Sequence, residues 1–439
     1  MLARLTQRFK KGGLARNALT VTLGTLAAQA LLIAVTPLLT RLYTPADFGV
    51  LAVFTAIVSI TGAVTNLRYE TAIPLDGRDE DAAATFLAAV ITGFATTCLV
   101  ALVVALCGEQ LVTGANVPGL GPLLWAIPIG TLGMAFYNAT NLWAVRRQAF
   151  RAVALSKLAQ FGFMAVWQVL HGWLAKGPAG LVVGQALGQP AGIVNFLRSF
   201  DARDRALLRA TSLSAIRAAA VRHYRFPLLL TPSLLLNTSA KMLPAVFLAT
   251  LYGPVVAGQF GLAQRVVLAP VRLLGMSIGQ AYLGAAPKLA REDRAALLRL
   301  FRSTTFHLAW IGLLGMAAVA IPAPFLFALV FGEAWREAGV QLQILSIMYL
   351  AQFVIFPVGQ TLAMFGRQDL NLWWDIGNMA ITLLAFLIGW GWQLSSNQTL
   401  LLYSVAMSAN YGVNWLLSHH AILHGQAAGS AASAAVTTE

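Results

Sequence analysis

The residues of this sequence that could do chemistry are charged side chains set inside long apolar runs. Lys241 and Arg265 each lie about ten residues from the break between two such runs, roughly 15 Å along a helix that rises 1.5 Å per residue. The two therefore reach one level. Arg272 follows Arg265 by two helical turns and projects from the same face. Lys157 sits early in another run, where its ammonium can equally snorkel to the interface. The carboxylate placed clearly within a run is Asp375, about one turn in. A charge at mid-membrane costs at least about 2.5 kcal/mol unless a partner or a polar cavity receives it. Four cations cannot be neutralised by one anion, so the arrangement calls for an aqueous cavity that takes an anion, with Asp375 as the candidate for proton or cation coupling.

Polar side chains at helical spacing supply candidates for the lining of that cavity. These are Gln29, with Thr22 and Thr25, Asn138 and Asn141, with Tyr137, Asn237 next to Thr238, and Asn410, with Asn414. Helix-to-helix hydrogen bonding uses the same residue types and is the competing reading for any one of them.

The elements that must position these residues are membrane helices. With 58% hydrophobic and only 10% charged residues over 439 positions, the chain has too little polar surface to be solvated as a globule. Apolar runs of a length that crosses a hydrocarbon core of about 30 Å fall near 17–40, 47–66, 82–107, 119–143, 152–175, 178–198, 226–251, 255–281, 303–330, 338–364, 371–391 and 398–422. The first run is too long for a signal peptide and lacks a cleavage site. With both termini cytoplasmic, the inner segments hold 23 of the 30 Lys and Arg residues, while the outer loops hold only Arg41, Lys176 and Arg336. That asymmetry satisfies the positive-inside rule. It also makes the net charge of +14 a topology signal, with no nucleic-acid partner implied. Cys98 and Cys107, nine residues apart on one helix, are too distant to pair. His419, His420 and His424 close the last run with no Cys or carboxylate beside them, so neither a metal nor a cofactor is expected.

The chain is internally duplicated. Leu42-Tyr43-Thr44-Pro45-Ala46-Asp47-Phe48-Gly49 returns as Leu251-Tyr252-Gly253-Pro254-Val255-Val256-Ala257-Gly258, sharing Leu-Tyr-x-Pro-x-x-x-Gly. Six helices per half is an even number, so the halves are parallel repeats. The expected fold is an all-α integral membrane protein of about twelve transmembrane helices in two six-helix lobes. The N-terminal lobe covers 1–198, a cytoplasmic basic amphipathic linker 199–225, the C-terminal lobe 226–424 and a disordered tail 425–439. The arginines of 198–225, interleaved with leucines, suit the anionic lipids of the inner leaflet, and 288–302 reads the same way. In the motif, Thr44 suits an N-cap, Pro45 a first helical position and Asp47 a capping carboxylate.

The stretch from Arg41 through Gly49 and on to Leu67-Arg68-Tyr69-Glu70-Thr71-Ala72-Ile73-Pro74 resembles the N-terminal signature of the polysaccharide transporter family, the O-antigen and exopolysaccharide repeat-unit flippases. That family shares a superfamily with multidrug and toxin extruders and with the peptidoglycan-precursor flippase. The resemblance implies a V-shaped transporter of the bacterial inner membrane that alternates access and passes an undecaprenyl-diphosphate-linked oligosaccharide to the periplasmic leaflet, driven by a proton or sodium gradient. Glycan polymerase and ligase enzymes act on the product. It also implies a cationic central cavity, which Lys241, Arg265 and Arg272, with Lys157, could supply here for the diphosphate. No reaction is catalysed. The alternative is a multidrug extruder-like cation antiporter, which would show acidic residues within its first lobe to bind cationic drugs, whereas spans one to six contain none clearly buried. A glycan polymerase would need a large outer loop, and a peptidoglycan-precursor flippase two further spans.

Overall fold

The structure, a computed structural model, describes residues 13–424. The basic stretch before residue 13 and the tail 425–439 lie outside the described residues. Every regular element among the described residues is helical: α1 Gly13–Leu42, α2 Pro45–Val64, α3 Asp79–Gly114, α4 Ala126–Arg146, α5 Phe150–Leu174, α6 Ala179–Ser199, α7 Ala202–Ala210, α8 Leu213–Arg222, α9 Thr231–Tyr252, α10 Pro254–Glu292, α11 Arg294–Ala320, α12 Ala323–Phe331, α13 Arg336–Val358, α14 Thr361–Met364, α15 Gln368–Gly391 and α16 Ser396–His424. Among the described residues, eight candidate spans are long and apolar enough to cross a membrane. The other helices of at least 20 residues, α4, α6, α10 and α16, are more polar, and they carry Asn138, Asn141, Arg265, Arg272 and Asn410. The chain is an all-α integral membrane protein.

Several spans differ from their expected limits, two of them beside prolines. The fourth starts at Ala126, because Pro118–Leu123 winds into a 3-10 turn with a proline at each end. The ninth ends at Ala320, where Pro322 closes the helix and the short α12 begins. The stretch 288–302, expected to lie along the inner leaflet, is a corner between two long helices. The α10 helix runs to Glu292, and Asp293 caps α11 by accepting a 2.8 Å hydrogen bond from the backbone N–H of Ala296.

By packing, the chain divides into two compact units. The first runs to Thr238 and takes in Gly253–Gly258. The second comprises Ser239–Tyr252 and the chain from Gln259 onward. The duplicated motif explains that exchange of six residues. In the first unit, Thr44 and Asp47 close a capping box at the start of α2, and α10 meets α2 there at two glycines. A Cβ on Gly49 would lie 1.9 Å from the carbonyl oxygen of Pro254, and one on Gly258 would lie 1.8 Å from that of Pro45. Each copy of the motif thus presents its glycine to the proline of the other. The tyrosines also have matching roles. Tyr43 donates to the Gln168 carbonyl on α5 at 2.6 Å. Tyr252 reaches the Leu394 carbonyl at 3.0 Å and Thr399 Oγ1 at 2.6 Å, beside the turn from α15 to α16. In both repeats the hydroxyl ties the first helix of the half to its last hairpin.

The segment joining the halves is held by carboxylates. Asp79, at the start of α3, bonds Arg146, Arg147 and Arg203 at 3.0, 3.0 and 3.1 Å. Asp76 accepts from Thr85 at 2.6 Å and meets His223 at 3.0 Å and Arg222 at 3.4 Å, while Asp81 takes the other Arg222 nitrogen at 3.1 Å. Asp204, buried on α7, receives Arg147 Nε at 2.6 Å. All seven arginines of 198–225 are exposed, and among them Arg203 and Arg222 also pair with protein carboxylates.

Candidate functional site

In the first unit the candidates gather on four helices. Lys157, on α5, is half-buried, with its Nζ 6.0 Å from the centre of the Tyr137 ring on α4. That ring rests against Gly192 of α6, whose carbonyl accepts a 2.7 Å hydrogen bond from Ser156. Only a residue without a side chain fits there: a Cβ at Gly192 would meet Ser156 and Tyr137 within 3.0 Å. Buried polar atoms without a hydrogen-bond partner among the described residues cluster on the same helices. They are Gln29 Oε1 on α1, Tyr137 Oη and Asn141 Oδ1 on α4, and Gln189 Oε1 on α6. Such atoms are expensive away from water. Together with an ammonium they provide what a hydroxyl-rich or anionic ligand needs. Asn138 is half-buried on the same α4. Gln189 was not among the residues expected to line the cavity, since a lone glutamine beside Gly188 and Pro190 forms no polar stripe at helical spacing.

In the second unit, Lys241 lies on α9 eleven residues before its end and Arg265 on α10 eleven residues after its start. These are equal depths of roughly 16 Å at 1.5 Å per residue. Lys241 is exposed and Arg265 half-buried. Arg272 continues α10, its side chain outside the described residues. Asp375, on α15, is half-buried, and three residues on stands the buried Asn378. Its Oδ1 accepts a 2.8 Å hydrogen bond from the amide of Asn410 on α16, while the Asn410 carbonyl accepts from the Trp374 indole at 3.0 Å. Thr382, one turn further, bonds the Asn378 carbonyl at 2.8 Å and the Ala240 carbonyl at 3.3 Å. The backbone next to Lys241 is therefore tied to the face of α15 that carries Asp375 and Asn378.

Asn410 is thus committed to joining α15 and α16, with 8% of its surface exposed. Asn237 is half-buried on α9 and belongs by packing to the first unit. Asn378 and Thr382 were legible in principle, since they follow Asp375 at the i+3 and i+7 positions of one helix face. Of the histidines that close α16, His419 stacks on Trp415 with ring centres 5.2 Å apart and meets Arg302 at 2.9 Å, while His420 and His424 are exposed. Among the described residues no three His, Cys, Asp or Glu side chains are grouped to hold a metal.

The profile of a family described as polysaccharide biosynthesis protein matches residues 38–340. The lipopolysaccharide biosynthesis protein WzxC of Escherichia coli (strain K12) is 26% identical over 177 residues, 39% of this chain and 35% of that protein, so the match spans about a third of the relative's length. Among solved structures, an inward-facing multidrug resistance MATE family transporter of the MOP superfamily has a TM-score of 0.68 at 12% identity, covering 91% of this chain and 98% of that one. A variant of the Vibrio cholerae MATE transporter VcmN has a TM-score of 0.56 at 15% identity, covering 94% and 96%. A MOP superfamily transporter from Pyrococcus furiosus, whose description speaks of a reversed polarity of the binding pocket, has a TM-score of 0.53 at 14% identity, covering 93% and 96%. At these identities the structural likeness shows the fold.

Proposed function

Because the chain belongs to the polysaccharide biosynthesis protein family, we propose that it is a flippase that carries an undecaprenyl-diphosphate-linked oligosaccharide from the cytoplasmic to the periplasmic leaflet of a bacterial inner membrane. The feature that carries this reading is the pair of cations Lys241 and Arg265, each eleven residues along its helix from the break between α9 and α10. A diphosphate leaving water needs fixed charge to replace its hydration, and a guanidinium grips its oxygens in a fork. Arg272 receives the head group first, nearer the cytoplasm, and Arg265 and Lys241 hold it at the midplane, with Lys157 as the cation of the first unit. The amides of Gln29, Asn138, Asn141 and Asn237 meet sugar hydroxyls. Asp375 is the candidate for coupling to a proton or sodium ion. A glycan polymerase and a ligase of the same pathway take the product. The exposed arginines of α7 and α8 rest on anionic inner-leaflet lipids.

Two experiments test the reading. Deleting the gene is expected to leave lipid-linked repeat units on the cytoplasmic leaflet and to remove the surface polymer. A strain without a second flippase that still moves the unit outward at the normal rate refutes it. Topology gives the second test, since the distribution of basic residues puts both termini and the linker in the cytoplasm. Fluorescent and phosphatase reporters fused after Arg203 and after His424 should both report the inside. Phosphatase activity at Arg203 would overturn the arrangement.

A further inference from the structure

The turn between α2 and α3 holds a carboxyl group that neither the transport site nor the linker contacts explain. The chain leaves α2 through Leu67 and Arg68, two successive non-glycine residues in the left-handed region at φ 48° and 62°, and enters a 3-10 turn over Tyr69–Leu75. Side chains clamp this exit in place. Asn66 donates to the carbonyls of Ala89 on α3 and Ala135 on α4, at 3.0 and 3.2 Å, and Thr96 donates to the Thr65 carbonyl at 2.6 Å. Strained backbone of this kind persists where the surroundings over-determine it, and it clusters at working sites.

The clamp delivers Glu70 into the protein. Glu70 is 4% exposed, beside an apolar cluster that includes Tyr69, Ile73, Phe86 and Trp143. One oxygen accepts from Arg68 at 3.2 Å. The other, Oε2, is buried and has no hydrogen-bond partner among the described residues. The remaining charged groups lie on the elements around the turn. Asp79, Glu80 and Asp81 open α3, Arg146 ends α4 with Arg147 next to it, and Asp76 follows the turn itself. Arg217 and Arg222 lie on α8, and His223 and Arg225 precede the turn at Phe226–Leu230. Arg146, Arg147, Arg222 and His223 are engaged with Asp76, Asp79, Asp81 and Asp204. Among these groups, Arg68 is the one in contact with Glu70.

We propose that Glu70 is a proton-binding site of the first unit, its Oε2 taking a proton from solvent when the turn opens, holding it while the turn is closed and returning it to solvent at a later opening. The step forms and breaks one O–H bond and needs no other reactant. A neutral carboxylic acid tolerates this apolar setting far better than a half-satisfied carboxylate does. Burial pushes the carboxyl up from its ordinary value, against the smaller opposing pulls of Arg68 and of the residue's own backbone N–H. The inference deepens the flippase reading by giving a proton a residue to bind, yet its first test needs no transport.

Raising the folded-state affinity for a proton adds stability that is fully present below the ordinary glutamate range, near pH 4.3, and is lost as pH rises through the folded value. The full-length protein in detergent should therefore lose melting temperature as pH climbs through the mildly acidic range, by about 2 °C for each tenfold difference in proton affinity. Glu70→Gln mimics the protonated group, so it should abolish that component and melt at or above the wild-type temperature at pH 8. If Glu70 instead serves as the ionised partner of Arg68, the variant melts lower at pH 8 and converges with wild type in acid, which overturns the proposal. In proteoliposomes, an imposed pH gradient should accelerate wild-type transport of the lipid-linked unit and leave the Gln variant unaffected. A variant still driven by the gradient overturns a coupling role for this proton. Failure of the flippase reading would show as no transport by either protein, with the melting result intact.

Discussion

Arg265→Ala should abolish export of the glycan while the protein inserts at its normal level. Two charge-assisted hydrogen bonds to phosphate oxygens, at about 1.5–3 kcal/mol each, correspond to a loss of more than about 100-fold in transport once the fork is gone. Arg265→Lys should recover part of that, because an ammonium keeps the charge but cannot match two oxygens at once. Arg265 also stands half-buried on α10, and a structural guanidinium bonding the backbone of a neighbouring helix would give a different pattern. In that case Arg265→Ala lowers the amount of protein in the membrane, and the neutral Arg265→Gln, close in shape, restores both insertion and export. Measuring insertion and export for the Ala, Lys and Gln variants separates the two. A fully active Gln variant would refute a diphosphate site at Arg265.

The membrane helices were legible because apolar length is a local property, read from composition alone. Contacts between distant segments were not. The arginines of α7 and α8 could be counted in the sequence and assigned to lipid, but their pairing with Asp76, Asp79 and Asp81, more than a hundred residues away, depends on how α3 and α4 pack. The reach of α10 to Glu292 was hidden for a related reason: its hydropathy fades around Lys288 and Arg291, although those side chains favour a helix as well as most apolar ones do. Among the candidate residues, the four cations and Asp375 were visible as charges inside apolar runs. Asn378 was missed because its partner, the amide of Asn410, lies 32 residues away on the next helix, and such pairing depends on how α15 and α16 pack. Glu70 lay inside the most recognisable stretch of the sequence, yet only the fold shows that its carboxyl is buried.

The duplicated motif was read for its caps, and the structure shows its glycines to be the more demanding positions. Gly258→Ala should be among the most damaging single-methyl changes in the chain. Its Cβ would stand 1.8 Å from the Pro45 carbonyl oxygen and 2.7 Å from the Gly49 nitrogen, all backbone atoms that cannot rotate aside. Overpacking against side chains costs about 1–3 kcal/mol, and a contact with backbone on every side belongs at the upper end of that range. Gly49→Ala should behave alike, since its Cβ would meet the Pro254 carbonyl at 1.9 Å. The two substitutions share one crossing, so they should not add. Once the first methyl has forced α2 and α10 apart, the second finds space, and the double variant should lose little more than either single one. Gly284→Ala, also on α10, and Gly412→Ala, on α16, have nothing within 4 Å of the new methyl and serve as controls that remove a glycine from a helix without touching the crossing. Melting curves of the five variants in detergent test the idea: Gly258→Ala as stable as Gly284→Ala, or a double variant with the full sum of both losses, would show that the repeated Pro-x-x-x-Gly pattern does not owe its glycine to this contact.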